Sequence, residues 1–368
     1  MLTFTGFELW GGTTWTDLLF AAQDQTDAAS NLISATSNRL YIGLDRRFDG
    51  VLLVLGTAGS YTGVTFQYWN GSAWTNLPTR QTYAFTGNGG VIRFLIPSAW
   101  TTRTLASVES SNTGLSTDDQ TTTAKYWIRV NVTGVTTTAT LSWALPFPEY
   151  SYTTPSFVRR FMQLPTAFFT STTIPSEQDV ADAIRRVESQ IDKYTWKSWK
   201  PNHDPSVNAE NTEQYDFNRF GFTLENYPIL YMISLAIWNG SAFEVMSQGR
   251  GNDYSIDNRL GLVSFTRLIH LPFAYTRSAI YTWGYGEFKL AVQVNYVWGR
   301  DLDFDRFGPL ITKVANQLVS VDLVRSHDYS SFVVTGPDKI ALERKAEMWE
   351  AEALRTMDEL RGIQMWIP

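Results

Sequence analysis

Residue types able to do chemistry are few in this sequence, and they are scattered. Three histidines, His203, His270 and His327, stand far apart with neither H-x-x-x-H nor H-E-x-x-H spacing, which argues against a histidine-built metal site. Cysteine is absent, which removes disulfides, thiolate ligands and cysteine nucleophiles together. Gly56-Thr57-Ala58-Gly59-Ser60 lacks the G-K-[ST] ending of a phosphate-cradling loop and reads as a turn at a strand end. Gly284-Tyr285-Gly286 has no third glycine and opens no helix, so no dinucleotide site is supported. No G-x-S-x-G elbow occurs. The expectation is a chain with no catalysis, no cofactor and no resident metal. The best carboxylate cluster is Asp301, Asp303 and Asp305. Alternating acids can gather calcium, yet the sixth and twelfth positions of an EF-hand register are Arg306 and Thr312, where Gly and an acid are required. The competing reading is that these acids lead into a helix N-terminus, which favours negative charge.

Aromatic residues are more suggestive. Tyr68 and Trp69 with Trp74, and Trp10 with Trp15, set flat rings at short spacing. Such rings can stack on sugar faces, as in a carbohydrate-binding module, or pack a core and its hairpins. Trp69 and Trp74 are the candidate glycan-stacking pair. A glycosidase needs two facing carboxylates; with 36 acids a pair is never excluded, but the strands of the first part are nearly acid-free, so this reading ranks last. The basic pairs Arg46-Arg47, Arg159-Arg160 and Arg185-Arg186 are isolated. A net charge of −6 and a pI near 5.2 argue against a dedicated grip on the nucleic-acid backbone.

The elements that must position these residues change character along the chain. Its 368 residues, 43% apolar and 18% charged, predict a folded protein of two or three domains. Residues 1–150 hold only 8 Lys+Arg and 10 Asp+Glu, against 22 and 26 in the rest. Short alternating runs at Leu40–Ile42, Val51–Leu55, Val64–Tyr68, Val91–Ile96, Tyr126–Val132 and Ala139–Trp143 predict an antiparallel β-sandwich over 1–148. Asn70-Gly71 and Asn88-Gly89 are expected to supply the positive φ of tight hairpins. Thr13–Ile33 has room for a short helical turn. Over 149–175, Pro155, Pro165 and Pro175 exclude a long helix. Tyr150, Phe157, Phe161, Phe168 and Phe169 make that stretch too apolar for a free linker and predict a strap packed along a neighbouring surface.

A helix is predicted over about 176–197, opened by Ser176 with Glu177 and Asp179 in its first turn and striped by Val180, Ile184, Val187, Ile191 and Tyr194. Asn202–Asn218 reads as a polar loop. Residues 222–300 return to strands: Ile229–Ile237, a turn at Asn239-Gly240, Phe243–Val245, Asn252–Asp257, a turn at Asn258–Gly261, Leu262–Phe265, and Phe288–Trp298. Trp69-Asn70-Gly71-Ser72-Ala73-Trp74 is echoed by Trp238-Asn239-Gly240-Ser241-Ala242-Phe243, most simply as one turn solution used twice. Two helices follow. The first, over 307–325, is striped by Phe307, Leu310, Ile311, Val314, Leu318 and Val321; the second, over 338–361, by Leu342, Ala346, Trp349, Ala353, Met357 and Leu360. The last six residues, Ile363–Pro368, are largely apolar and should have somewhere to bind. No run approaches the roughly 18 apolar residues of a membrane span. The start, with neither a basic nor an apolar leader region, predicts no signal peptide. The N-x-S/T matches at Asn70, Asn131 and Asn239 then read as chance.

Residues 174–325 resemble the head–tail connector (adaptor, head-completion) proteins of tailed bacteriophages. The matching segments are Pro175-Ser176-Glu177-Gln178-Asp179-Val180 with Ile184, the hairpin from Tyr254-Ser255-Ile256-Asp257 through Gly261 to Phe265, and Tyr296-Val297-Trp298-Gly299 before the next helix. The first domain is similar to β-sandwich modules of phage virion proteins in Leu40–Gly43 with Phe48-Asp49-Gly50, Tyr68–Gly71 with Trp74, Pro97–Trp100, and Tyr126–Arg129. The chain departs from compact adaptors in its large N-terminal domain and in the long loop after Lys200.

The resemblance implies an α+β, multidomain chain: an N-terminal antiparallel β-sandwich, a strap, and a helical connector domain over 176–368 with an inserted small β-hairpin subdomain at 222–300. It implies a homo-oligomeric ring, commonly of twelve copies, that docks on the portal protein, meets tail or neck connector proteins and lets double-stranded DNA pass without sequence-specific binding. It also implies a place in the virion at the head–tail interface after assembly in the host cytoplasm, with no membrane partner. Carried over, the candidate portal or subunit contacts are Trp349, Met357, Leu360, Met365, Trp366 and Ile367. The alternative reading is a receptor- or glycan-binding virion component that uses the aromatic β-sandwich.

Overall fold

The computed structural model describes residues 4–24, 29–170, 172–203, 213–217, 221–238, 242–249, 251–266, 288–300, 302, 305–326 and 338–362. The chain is mixed α and β, rich in sheet toward its N-terminus, with its longest helices toward the C-terminus. It divides into two compact units. Thr3–Phe147 and Pro201–Gly299 build a strand unit; Pro148–Lys200 and Arg300–Pro368 build a helical one.

In the strand unit two antiparallel sheets face each other. The first runs β2 (Trp15–Asp17), β1 (Gly6–Trp10), β4 (Arg39–Leu44), β11 (Tyr126–Asn131), β7 (Thr65–Trp69), β8 (Trp74–Asn76). The second runs β3 (Ser30–Asn31), β13 (Thr140–Pro148), β5 (Phe48–Thr57), β10 (Gly89–Phe94), β9 (Thr79–Gln81), and β6 (Ser60–Thr62) pairs with β12 (Gly134–Thr137) apart from both. Side chains alternate across a strand, so every second residue of the predicted runs points inward. Phe7, Leu9, Leu40, Ile42, Phe66, Ile128 and Val130 thereby share one core with Phe48, Val51, Leu53, Ile92 and Leu141. A short helix, α1 (Leu19–Gln23), lies in the Thr13–Ile33 segment.

The β7–β8 turn has Gly71 at φ +99°, and the Asn70 Oδ1 accepts from the amides of Ser72 and Ala73 at 3.0 and 2.8 Å. At Asn88-Gly89 the expected tight turn is not found. Gly89 pairs with Val54 as the first residue of β10, and the positive φ falls earlier, at Phe85. A Cβ on Gly89 would lie 2.6 Å from the Tyr231 ring, so close approach explains this glycine.

Tyr231 comes from a third sheet, ordered β14 (Glu213–Phe217), β20 (Phe288–Trp298), β16 (Ile229–Trp238), β17 (Phe243–Val245). Leu230, Tyr231, Ile233 and Val297 pack on Leu52, Val54, Val91, Leu145 and Phe147, which lie on the far side of the second sheet from the sandwich core. The insertion expected inside the helical part is thus built onto the sandwich, because the back of β5, β10 and β13 is itself apolar. β14 lies within the stretch read as a polar loop; its Gln214 and Asp216 alternate with Tyr215 and Phe217, and pairing with β20 holds it as a strand. The other side of the third sheet packs on β15 (Phe222–Thr223), β18 (Tyr254–Asp257) and β19 (Leu262–Phe265), with Leu235, Ile237, Val263 and Val292 at the centre.

The helical unit contains α2 (Pro155–Phe161), α3 (Glu177–Thr195), α4 (Gly308–Ser326) and α5 (Asp338–Gly362). A reciprocal cap opens α3: the Ser176 hydroxyl accepts from the Asp179 amide at 3.2 Å, and the Asp179 carboxylate accepts from the Ser176 amide at 2.8 Å. Val180, Ile184, Val187 and Ile191 meet Ile311, Val314 and Leu318 of α4 and Ala353, Met357 and Leu360 of α5 in one core. Asn316, Gln317 and Ser320 of α4 are buried as well, so this helix is enclosed on nearly all sides. Leu310, assigned to its stripe, is instead 42% exposed. Among the described residues, no helix is long and apolar enough to cross a membrane.

Candidate functional site

Two of the six residues expected to contact a portal or a neighbouring subunit are not on the surface. Met357 and Leu360 are buried at 0% and 2% exposure within the helical core, so they hold α5 against α3 and α4 of their own chain. This corrects their assignment as contacts: the stripe that sequence periodicity reveals is the face a helix gives to its own bundle. Trp349 is half-buried, its ring 5.0 Å from Phe161 of α2. Met365, Trp366 and Ile367 lie outside the described residues. The large apolar side chains that the helical unit exposes among the described residues are others, with Phe157 at 50%, Met348 at 70%, Trp196 at 75% and Ile174 at 82% the most exposed. Trp196 also sits at the C-terminal cap of α3 with φ +56°, a left-handed position where glycine is usual.

One polar knot lies where the strap and the segment after α3 meet. Glu188 accepts from the amides of Ser151 and Tyr152 and pairs with Lys200 at 2.6 Å. The Tyr152 hydroxyl donates to Asp192 and accepts from the Trp199 amide at 2.8 Å. Burial pushes the Asp192 carboxyl up to about 6, against the Tyr152 hydrogen bond and the nearby Lys200 charge. Every member works on its own chain, so the knot reads as a fastener.

Asp301 and Asp303 lie outside the described residues. Asp305 pairs with Arg300 at 2.6 Å and accepts from the Phe307 amide at 2.9 Å, just ahead of α4. That is the behaviour of an acid at a helix start. No group of three or more His, Cys, Asp or Glu able to hold a metal occurs among the described residues. His203 is buried, with its Nε2 2.8 Å from the Asn295 Oδ1; His270 and His327 lie outside the described residues.

The first sheet carries the most unusual chemistry, on the side away from the sandwich core. Register sets Asp17, Glu8, Tyr41, Arg129, Gln67 and Asn76 in one row across six strands. Alternation puts Trp10, Trp15, Trp127, Trp69 and Trp74 on the same side. Centroid distances of 5.3, 5.1, 5.5 and 5.7 Å link Trp10, Trp15, Tyr41, Trp74 and Trp69 into one train of rings. Gly43 makes room for Trp127, whose ring would lie 2.5 Å from a Cβ there. The segment 101–125 covers part of this side. Leu105 and Leu115 are buried on it, the Trp15 indole donates to the Ser111 carbonyl at 2.7 Å, and the Trp127 indole to the Arg103 carbonyl at 2.9 Å. Glu109 from the same segment accepts from the Tyr41 hydroxyl at 2.5 Å and pairs with Arg39 at 2.6 Å.

Beneath that cover, Glu8 is fully buried, and among the described residues neither of its oxygens meets a donor. Burial raises its pKa well above neutrality, and the charges of Asp17 and Asp119 raise it further. Asp119 is engaged with Lys125 in a buried ion pair and can face Glu8 only as an acceptor, so Glu8 keeps its proton. A lone acid among the apolar residues of β1 was the sequence signal for this group, and reading the strands as nearly acid-free passed over it.

Beyond the cover, Trp69 and Trp74 are half-buried. Their rings meet edge-to-face at 62°, so they do not form one flat platform. Each carries a guanidinium: Arg103 lies 4.0 Å from the Trp69 centroid and Arg129 lies 4.7 Å from that of Trp74.

No protein-family model matches this chain, and no curated protein matches it. Among solved structures, a Bacteroides thetaiotaomicron protein described as an alpha-L-fucosidase aligns at a TM-score of 0.20 and 9% identity over 30% of this chain. The chain spans about a fifth (20%) of that protein's length, and a likeness this slight carries no argument about fold or activity.

Proposed function

We propose that this chain is a structural, non-catalytic virion protein of the phage neck: a head–tail adaptor whose copies close into a ring on the portal, joining capsid to tail around a DNA channel. The observation that carries this reading is how the connector-like segments fold. Pro175–Val180 opens α3 with a reciprocal cap, Tyr254–Phe265 is a hairpin, and Tyr296–Gly299 ends the strand that leads to α4. α3, α4 and α5 then share one core across the intervening strands. Phe157, Met348 and Trp196 offer this unit an apolar surface for heterologous subunit contacts. The test is negative-stain imaging with light scattering, on the purified protein alone and mixed with the portal of the same particle. Closed rings or portal-capped rings are expected. A protein that stays monomeric in both samples refutes the proposal.

A second reading is favoured by one observation, the half-exposed Trp69 and Trp74 on the sandwich's outer side: receptor or glycan binding by a decorated virion protein. W69A and W74A variants that bind host glycans as well as the parent would remove it.

A further inference from the structure

Arg103 and Arg129 lack the charge pairing that several arginines of their unit have. Arg39, Arg46 and Arg93 of the same unit each have a carboxylate oxygen within 3.0 Å, at Glu109, Asp45 and Asp49. Among the described residues, neither Arg103 nor Arg129 has one. Arg103 spends its Nε on the Thr104 carbonyl at 3.0 Å, and no described residue takes up its two terminal nitrogens. Arg129 donates through Nε and Nη2 to the Gln67 Oε1 at 3.0 and 2.5 Å, an oxygen that also accepts from Asn131 at 2.8 Å. Glu109, an acid of the covering segment, is already held by Arg39 and Tyr41.

Two like charges are therefore held on one side of one sheet. Burial is the main cause that lowers the Arg103 pKa; Tyr41 opposes that shift, and the nearby Arg129 charge adds to it. Their contacts with the Trp69 and Trp74 rings hold them in place without neutralising them, and among the described residues no carboxylate does so, which points outward, to a ligand. Planar forks bind carboxylates through two parallel hydrogen bonds. Ring edges and amides beside them suit a hydroxyl-bearing ring. A nucleic acid would need a broader basic footprint than two arginines in a chain of net charge −6.

The geometry points to a binding site for a carboxylate-bearing saccharide on the open outer side of β7, β8 and β11, with Arg103 and Arg129 gripping the carboxylate and Trp69 and Trp74 walling the ring. It rests on the glycan-binding reading above and names the ligand's charge class.

The test uses the full chain and calorimetric titration with sialylated and uronate-bearing oligosaccharides against neutral oligosaccharides of equal length. Acidic oligomers should bind and neutral ones should not. R103Q should weaken binding by roughly tenfold or more, as expected for losing hydrogen bonds to a charged group. R103K, which keeps the charge but loses the fork, should fall between the two. Each variant is checked by circular dichroism, and R103K guards against a folding defect in R103Q. Equal binding of neutral and acidic oligomers overturns the inference and leaves the glycan reading standing. Unchanged binding in both variants also overturns it. Absence of binding by every oligomer removes both.

Discussion

Replacing Glu8 by glutamine should stabilise this protein at neutral pH, against the usual expectation for a buried polar residue. Glu8 is 0% exposed, meets no donor among the described residues, and is held protonated by burial and by Asp17 and Asp119. In the unfolded chain it ionises near its ordinary value of 4.5. A pKa raised on folding contributes stability that is complete below pH 4.5 and drains away as pH rises toward the folded value. Each pH unit costs about 1.4 kcal/mol, so folding at pH 7 pays about 3 kcal/mol to return a proton to this carboxyl. Glutamine is neutral in both states and nearly the same shape, and its amide still donates toward Asp119. E8Q should therefore match the parent near pH 4 and exceed it by about 2–3 kcal/mol at pH 7. Urea titrations at several pH values, followed by tryptophan fluorescence, would read this through Trp15 and Trp127 close by. A difference that stays flat with pH, or an E8Q protein less stable at pH 7, refutes the reasoning and means that Glu8 is ionised in the folded chain.

Three further outcomes follow from the helical unit. D192N keeps an acceptor for the Tyr152 hydroxyl and removes a carboxyl raised to about 6. The same sign applies, so its advantage should be nil below pH 3.8 and grow to roughly 1–3 kcal/mol above pH 6, measured by melts across that range. M357A should destabilise the isolated chain by about 2–5 kcal/mol, as for any buried methionine, with no partner needed to see the loss; near-parental stability would return Met357 to the list of intermolecular contacts. S176A removes one half of the α3 cap and should cost about 1 kcal/mol in the same denaturation assay.

Sheet and helix were legible wherever the signal was local. Runs such as Val64–Tyr68 and Tyr126–Val132 alternate every second residue, and they form β7 and β11. Ser176 with Asp179 announced the start of α3 because a cap involves residues only three apart. The echo between Trp69–Trp74 and Trp238–Phe243 also carried through: both pairs are cross-strand partners, with ring centroids 5.7 and 5.2 Å apart. β14 was missed because five residues of mixed polarity carry too little pattern, and its partner β20 lies some 70 residues further on.

The site was legible only as residue types. Trp69 and Trp74 were identifiable as aromatics of interest, but nothing near them in sequence announced Arg103 and Arg129, which the chain brings from other strands and the covering segment. An apolar stripe on α5 was plain, yet whether it faces its own bundle or another molecule is settled by what packs there, and α3 and α4 occupy it.

By itself, then, the sequence determined most of the segments that extend or coil, and the apolar side of many of them, because those properties arise among residues a few positions apart. Tertiary structure alone decided that Glu8 meets no donor among the described residues, that two arginines share one side of a sheet with no carboxylate partner among them, and that the inserted strands pack on the sandwich. Those facts depend on distances between residues far apart in the chain, and burial and Coulomb energies are functions of such distances rather than of sequence separation.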